Sequence, residues 1–210
     1  MPNIVRKSFP VGPLQCNCTV IGDSDTGQGY VFDPGGDPDK VMLAAGELGL
    51  GITGIIHTHA HLDHILAAGT IHELTGAPIW LHPQDKWLWD SLEQQCGMWG
   101  VPYTPVPDPH HWIEHEEELH HSGSCIHTPG HTPGSTSFYF EDASLLIAGD
   151  TLFLGSVGRT DFPGGDMVKL QSSIKQRLYT LDDAAVVVPG HGPETTIGNE
   201  MRNNAFVRAG

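Results

Sequence analysis

Residues 58–64, with the sequence THAHLDH, constrain this chain more than any other segment, because they place three histidines and an aspartate within six positions. They follow an apolar run that predicts a strand. In an extended backbone, side chains i and i+2 point to the same side, so His59 and His61 can bind one ion. If a helix begins near Asp63, the chain turns there and directs Asp63 and His64 to a second, nearby point. This mixture of imidazole and carboxylate favours zinc, with iron and manganese as alternatives.

Three further residues of metal-binding types stand in the same context, directly after an apolar strand pattern. They are His131 in TPGH, Asp150 in AGD and His191 in PGH. A glycine precedes each of them, and glycine lets the backbone approach an ion closely. A single residue of this kind would be an ordinary turn residue, but four strand ends that present such ligands are not independent. The sequence therefore predicts one metal centre assembled from four segments.

Hydrophobic periodicity and turn residues predict short strands alternating with helices. Strands are predicted at residues 4–9, 19–21, 30–33, 52–56, 78–81, 125–127, 137–140, 145–148 and 186–188. Helices are predicted at residues 38–48, 65–74, 83–95, 166–178 and 197–203, whereas residues 97–117 carry little periodic signal. This order lacks a strict β-α-β repeat, so it favours an α/β (α+β) fold in which two sheets pack together with helices outside.

Composition excludes several classes of protein. The 210 residues are 39% hydrophobic and carry a formal net charge of −15, which is the wrong sign for a surface that tracks phosphates, so we expect no nucleic-acid partner. No apolar run reaches about 18 residues, so no membrane span is expected. The first 13 residues lack a signal-peptide core, which favours a soluble, cytoplasmic protein. Four cysteines are too few for a disulfide scaffold and are expected to be reduced, packed thiols.

The histidine and aspartate motifs resemble those of the metallo-β-lactamase-fold hydrolases, and within that superfamily those of the short glyoxalase II-like (hydroxyacylglutathione hydrolase-like) proteins. The resemblance rests on residues 58–64, 128–131, 148–150 and 189–192, with supporting stretches at residues 33–36, 158–163 and 192–196. It covers nearly the whole chain. It implies a four-layer αββα sandwich in a single domain, residues 1–210, with two divalent metals in a cleft at one edge of the paired sheets.

The resemblance also implies a complete set of seven metal ligands. His59, His61 and His131 would hold the first metal, Asp63, His64 and His191 the second, and Asp150 would bridge both. Asp63 and Asp150 are accordingly the expected catalytic residues. Arg159 and Asp161 lie in the loop that follows the bridging aspartate, and they are expected either to support the site or to form a structural ion pair. Asp33 is expected to be a turn residue behind the site.

The function implied is hydrolysis of a thioester, S-lactoylglutathione or a related acylglutathione, by attack of a metal-bound hydroxide. Bound metal lowers the pKa of water from about 15.7 to about 7, whereas a side-chain base typically contributes about 10²- to 10⁴-fold in rate. Glyoxalase II proper carries a C-terminal helical extension with basic residues for glutathione, and most of it is expected to be absent here. Arg159, Lys86 and Arg202 are the candidate anchors for an anionic substrate.

Two alternatives remain at this point. A persulfide dioxygenase of the same superfamily would use one Fe(II) held by two histidines and an aspartate, here His59, His131 and Asp150. A non-catalytic metal-binding scaffold would use the same ligands without turnover. β-Lactam hydrolysis is disfavoured by the missing secretion signal, and nuclease activity is disfavoured by the charge.

The remaining histidines are not expected to be ligands. His57 shares the strand parity of His59, but only the register ending in Asp63-His64 completes the motif. An acidic, histidine-rich stretch is expected to be a solvated surface, and it contains His110, His111, His115, His120 and His121. Packing or surface positions are expected for His72, His82 and His127.

Overall fold

The computed structural model describes residues 3–120 and 122–208, which fall into two compact units, the first ending at Ile113 and the second beginning at Glu114. Each unit contains one six-stranded sheet with helices. The mixed α/β class predicted from the sequence is therefore confirmed. Among the described residues, no helix is long and apolar enough to cross a bilayer.

The first unit is built on a sheet whose strands follow one another in space as they do in sequence. These strands are β1 (Ile4–Val11), β2 (Cys16–Asp23), β3 (Gln28–Phe32), β4 (Gly51–Ile56), β5 (Ile79–Leu81) and β6 (His111–Trp112). The pairs from β1 to β3 are antiparallel and those from β3 to β6 are parallel. The ends of β3 and β4 consequently lie at the same edge of the sheet, which brings the residues that follow them together.

The described residues of the first unit also form five helices. They are α1 (Pro38–Leu48), α2 (Leu62–Ile65), α3 (Ala68–Thr75), α4 (Lys86–Asp90) and α5 (Leu92–Trp99), with a short 3₁₀ turn at Pro83–Asp85 before α4. Helix α1 begins at the predicted proline and ends at Gly49, whose φ of 71° is the left-handed conformation that commonly terminates helices. Val41 of α1 and Ile71 of α3 pack with Val20 and Ile55 of the sheet in one buried apolar core.

Two of the predicted helices are interrupted. In place of one helix over residues 65–74, α2 forms a single turn and α3 follows it, with the amide of Ala67 bonded to the carbonyl of Pro34. In place of one helix over residues 83–95, the chain bends at Ser91, whose hydroxyl bonds the carbonyl of Leu88. Both breaks follow from tertiary or side-chain hydrogen bonds, which periodicity does not reveal.

The second unit carries the other six-stranded sheet, ordered β14-β13-β10-β9-β8-β7, and a separate hairpin. The strands are β7 (Glu118–Leu119), β8 (Gly123–His127), β9 (Thr136–Phe140), β10 (Leu145–Gly149), β13 (Val186–Pro189) and β14 (Thr195–Thr196), and the hairpin pairs β11 (Leu152–Phe153) with β12 (Ser156–Val157). Strands β10 and β13 are parallel, so the residues that follow them share one sheet edge.

Helices α6 (Met167–Ser173) and α7 (Ile197–Asn203) begin at side-chain caps. The carboxylate of Asp166 accepts from the amides of Val168 and Lys169 at the start of α6, and the hydroxyl of Thr196 accepts from the amide of Asn199 at the start of α7. The second half of the predicted helix over residues 166–178 is a wider π turn, Ile174–Leu178.

The four cysteines are free and buried, as predicted. Burial raises the pKa of the Cys16 and Cys125 thiols to about 12, and it raises the pKa of Cys18 and Cys96 as well. Strand β2 begins at Cys16 rather than at residue 19, because its pairing with β1 extends to Val11.

We expect the native protein to resist thiol reagents, because buried thiols with raised pKa values hold almost no thiolate near pH 8. Ellman's reagent should label none of the four cysteines rapidly in buffer and all four in guanidinium chloride. Rapid labelling of a native thiol would contradict the packing described here.

Candidate metal centre

Four predicted ligands lie together in the first unit, on the segment that runs from the end of β4 into α2. We call His59, His61, Asp63 and His64 the first ligand group. The ring centroids of His59 and His61 are 4.8 Å apart, and those of His59 and His64 are 4.0 Å apart. The Nε2 of His64 lies 3.7 Å from a carboxylate oxygen of Asp63. Helix α2 begins at Leu62, so the predicted turn near Asp63 is confirmed.

Asp33 holds this segment from behind. Its backbone is left-handed, with a φ of 50°, and its side chain is buried. One carboxylate oxygen accepts from the amide of Thr58 at 2.8 Å, and the other accepts from the Thr58 hydroxyl at 2.7 Å. The second oxygen also lies 3.0 Å from Nδ1 of His64. Asp33 is therefore the supporting turn residue that the sequence predicts.

These contacts determine which imidazole nitrogen of His59 and of His64 is left to bind an ion. Nδ1 of His64 faces the carboxylate of Asp33. Nδ1 of His59 faces the Thr58 hydroxyl at 3.0 Å, and that hydroxyl already donates to Asp33. Both rings thus carry their proton on Nδ1 and keep Nε2 for an ion, the arrangement by which partner groups orient histidine ligands.

The other three predicted ligands lie together in the second unit, after β8, β10 and β13. We call His131, Asp150 and His191 the second ligand group. One carboxylate oxygen of Asp150 is 3.6 Å from Nε2 of His131, and the other is 3.9 Å from Nε2 of His191. The two oxygens of the Asp150 carboxylate therefore face two different histidines, which is the arrangement expected of a bridging ligand.

The loop after Asp150 supports His131 through its backbone. Nδ1 of His131 donates to the carbonyl of Arg159 at 2.7 Å, which leaves Nε2 on the side of Asp150. The guanidinium of Arg159 makes two hydrogen bonds to Asp161 and lies over the ring of Phe162. The Arg159 hydrogen bond lowers the pKa of Asp161 to about 2. Of the two roles expected for this pair, the structure shows the ion pair.

Two glycines, Gly35 and Gly158, lie in close contact with the backbone of a predicted ligand residue. A Cβ on Gly35 would lie 1.3 Å from the carbonyl oxygen of Asp63. A Cβ on Gly158 would lie 1.8 Å from the carbonyl oxygen of Asp150. Only glycine fits these positions, so both aspartates predicted as ligands, Asp63 and Asp150, are held by direct backbone packing.

Two supporting residues escaped the sequence reasoning, Asp85 and Gln95. The carboxylate of Asp85 accepts from the amide of Ala60 at 3.1 Å, and the side-chain oxygen of Gln95 accepts from the amide of Leu62 at 2.9 Å. Both side chains are buried. They are 25 and 33 residues distant from the amides they bind, and no local signal marks them.

The remaining histidines serve packing or lie at the surface. His57 is buried, its Nδ1 lies 3.1 Å from the carbonyl of His64, its ring packs edge-on against Trp89, and burial lowers its pKa to about 4. His82 caps the turn before α4. The acidic stretch is largely exposed at His110, His115 and His120, whereas His111 is half-buried beside Trp80, and His121 lies outside the described residues.

The candidate substrate anchors all pair with carboxylates. Arg159 pairs with Asp161, Arg202 with Asp183, and Lys86 with Asp90 and Asp108. An anionic substrate would therefore have to compete with an existing ion pair at each of these three side chains.

Comparison with known proteins decides the family. Residues 11–191 match the model of the metallo-beta-lactamase superfamily. The chain belongs to this superfamily. The match includes both ligand groups, and their imidazole and carboxylate donors are the types that zinc, iron and manganese accept. The chemistry of the residues present therefore fits the divalent metals that this fold binds.

Relatives within the superfamily carry hydrolase names. The chain is 41% identical to the probable metallo-hydrolase YqgX of Bacillus subtilis, over 96% of each protein. It is 38% identical to hydroxyacylglutathione hydrolase GloC of Haemophilus influenzae, over 96% of this chain and 97% of the relative. The superfamily membership of this chain and the names of these relatives support the interpretation that it is a metal-dependent hydrolase.

Solved structures of the superfamily match the fold closely. BLEG-1, a B3 metallo-beta-lactamase, aligns with a TM-score of 0.89 and 36% identity over 97% of this chain and 99% of its own. TTHA1623 in a di-iron-bound form aligns with the same TM-score and identity over 96% of this chain and all of its own. The metallo-β-lactamase-type fold predicted from the sequence is thereby confirmed.

Proposed function

We propose that this protein is a cytoplasmic thioester hydrolase acting on S-lactoylglutathione or a related acylglutathione. The observation that carries this proposal is the relative named hydroxyacylglutathione hydrolase, which is 38% identical and aligns with 96% of this chain. Because the superfamily match runs from residue 11 to residue 191, we also propose that residues 1–210 act as one domain.

We propose that the two ligand groups hold two divalent ions, with zinc as the leading candidate. His59, His61 and His131 would bind the first, Asp63, His64 and His191 the second, and Asp150 both. The division of the Asp150 oxygens between His131 and His191 supports the bridging role. Bound in this way, the metals would supply an acidified water and polarise the thioester carbonyl.

The protein's own residues would fix which nitrogen of each histidine ring carries the proton and which nitrogen faces the metal. Asp33 and Thr58 keep the imidazole protons of His64 and His59 on Nδ1, and the carbonyl of Arg159 does the same for His131. Each of the three rings therefore offers Nε2 as a neutral ligand without rearrangement. A thiol has a pKa of about 8.5, so the leaving thiolate needs no proton from the enzyme. This explains why a thioester suits a site whose buried acids are all assigned to ligation or support.

Removal of metal should abolish turnover. After exhaustive chelation and gel filtration, we expect hydrolysis of S-lactoylglutathione to fall at least about a hundredfold, because the metals would be the groups that acidify the attacking water. Activity should return on addition of Zn²⁺, Fe²⁺ or Mn²⁺, and elemental analysis should follow it. Undiminished hydrolysis by protein shown to be metal-free would contradict the mechanism. Absence of turnover in both states would favour the scaffold.

A persulfide dioxygenase is the second candidate. The di-iron form of TTHA1623, which is 36% identical, supports iron as the metal, but its two ions match the stoichiometry of the hydrolase and not the single iron that this candidate would use. One iron per chain with oxygen uptake on glutathione persulfide would support this candidate, whereas about two metals per chain with thioester cleavage would support the hydrolase. A β-lactam in the same substrate panel tests the activity named for BLEG-1.

A further inference from the structure

The backbone of the first ligand group is braced at alternate amides by side chains from distant parts of the first unit. The acceptors are carboxylate or amide oxygens, and the bonds are Thr58 to Asp33 at 2.8 Å, Ala60 to Asp85 at 3.1 Å and Leu62 to Gln95 at 2.9 Å. The two intervening residues, His59 and His61, are predicted ligands, as is Asp63, which follows Leu62. Beyond the end of β4 these amides have left the sheet, so the three side chains replace its hydrogen bonds.

Gln95 makes the most complete of these contacts. Its oxygen accepts from the amide of Leu62, and its nitrogen donates to the carbonyl of Ala60 at 3.2 Å. The side-chain amide thus binds both peptide groups that flank His61, as a neighbouring strand would. The same nitrogen donates to the carbonyl of Leu88 at 2.8 Å, which ties the bracing to α4.

The burial of these groups makes the bracing rigid. Gln95 is 8% exposed and Asp85 is fully buried. Water therefore cannot readily replace either of them, and a buried peptide group that loses its partner stays unsatisfied. The backbone at His61 has little freedom while both side chains are present.

We propose that Gln95 is a positioning residue that fixes the backbone on both sides of His61 and thereby sets the affinity of the site for the ion that His61 binds. This inference rests on the proposed ligand role of His61. Metal sites need their ligands held within about 0.5 Å, and residues that orient ligands are typically worth about 10- to 100-fold in metal affinity.

Zinc affinity of the metal-free protein tests the proposal without relying on turnover. Gln95→Met keeps the length and volume of the side chain and removes its hydrogen bonds. Competition with a chromophoric zinc chelator should show one zinc equivalent bound at least about tenfold more weakly than in the wild type. Gln94→Met is the matched control, because Gln94 is the exposed neighbour on the same helix, and its zinc affinity should be within about twofold of the wild type.

Thermal denaturation of the metal-free variants separates positioning from folding. If Gln95→Met does not fold, Gln95→Glu replaces it, since it keeps an acceptor for the Leu62 amide and loses the donor to the Ala60 carbonyl. Wild-type zinc affinity in a folded Gln95 variant would overturn the inference and leave the proposed function intact. A wild-type protein that binds no zinc, iron or manganese would overturn the proposed function, and this inference with it.

Discussion

Replacing Asp150 with alanine is expected to abolish hydrolysis and to reduce bound metal below that of the wild type. The side chain offers one oxygen to the neighbourhood of His131 and the other to that of His191. Its loss would remove a proposed ligand from both ions. It would also remove a negative charge that offsets the repulsion between them. Loss of a single charge-stabilising group commonly costs about 10²- to 10³-fold in rate, so we expect at least a hundredfold decrease, measured as kcat on S-lactoylglutathione with metal content in parallel.

Asp25→Ala is the matched control for this experiment. Asp25 is an exposed aspartate in the turn between β2 and β3, so its removal changes the net charge equally. Activity and metal content should stay at wild-type levels. Full turnover in a folded Asp150→Ala protein would show that the bridging role is wrongly assigned.

Replacing Gly35 with alanine is expected to unfold or strongly destabilise the protein. The new Cβ would lie 1.3 Å from the carbonyl oxygen of Asp63, which is backbone and cannot swing aside. Overpacking a core commonly costs about 1–3 kcal/mol, and a clash with backbone should reach or exceed the upper end. Urea denaturation should show a lower midpoint with an unchanged m value if the native state persists.

Gly46→Ala separates this clash from the general effect of adding a methyl group. Gly46 lies in α1, is exposed, and has nothing within 4 Å of the added Cβ. Alanine favours helix over glycine by about 0.5–1 kcal/mol, so this variant should be more stable than the wild type. A Gly35→Ala protein as stable as the wild type would mean that the packing of Gly35 against Asp63 is incorrect.

Elements with explicit start signals could be predicted from the sequence, and elements defined by pairing could not. Helix α1 begins at Pro38 as predicted, because proline fits the first position of a helix, whereas the side chain of Asp37 accepts from the Gly12 amide and does not cap the helix. Helix α7 covers Ile197–Asn203 as predicted. The hairpin of β11 and β12 was missed, since each strand has two residues and is defined by its partner. The break at Ser91 was missed for a different reason, because the bond from its hydroxyl to the carbonyl of Leu88 leaves no mark in helical periodicity.

The same division applies to the candidate site. The seven proposed ligands could be named because their residue types and their positions after apolar strands are visible in one sequence. The residues that position these ligands are of common types, and no sequence signal distinguishes them from their neighbours. Gln95 belongs to a predicted helix next to an identical residue, and only the folded chain distinguishes Gln95 from Gln94. Likewise, Arg159 stands out in sequence as a cation, yet the atom that contacts His131 is its backbone carbonyl.

The bracing of residues 58–62 has a consequence for engineering. Asp33, Asp85 and Gln95 come from a strand end, a turn and a helix, so the heptapeptide THAHLDH does not encode its own shape. Transplanted alone onto an unrelated strand–helix junction, it would be a flexible loop whose imidazole rings sample many orientations. A successful graft would have to bring matching acceptors from the recipient scaffold, and directed evolution of new substrates should leave those three positions untouched.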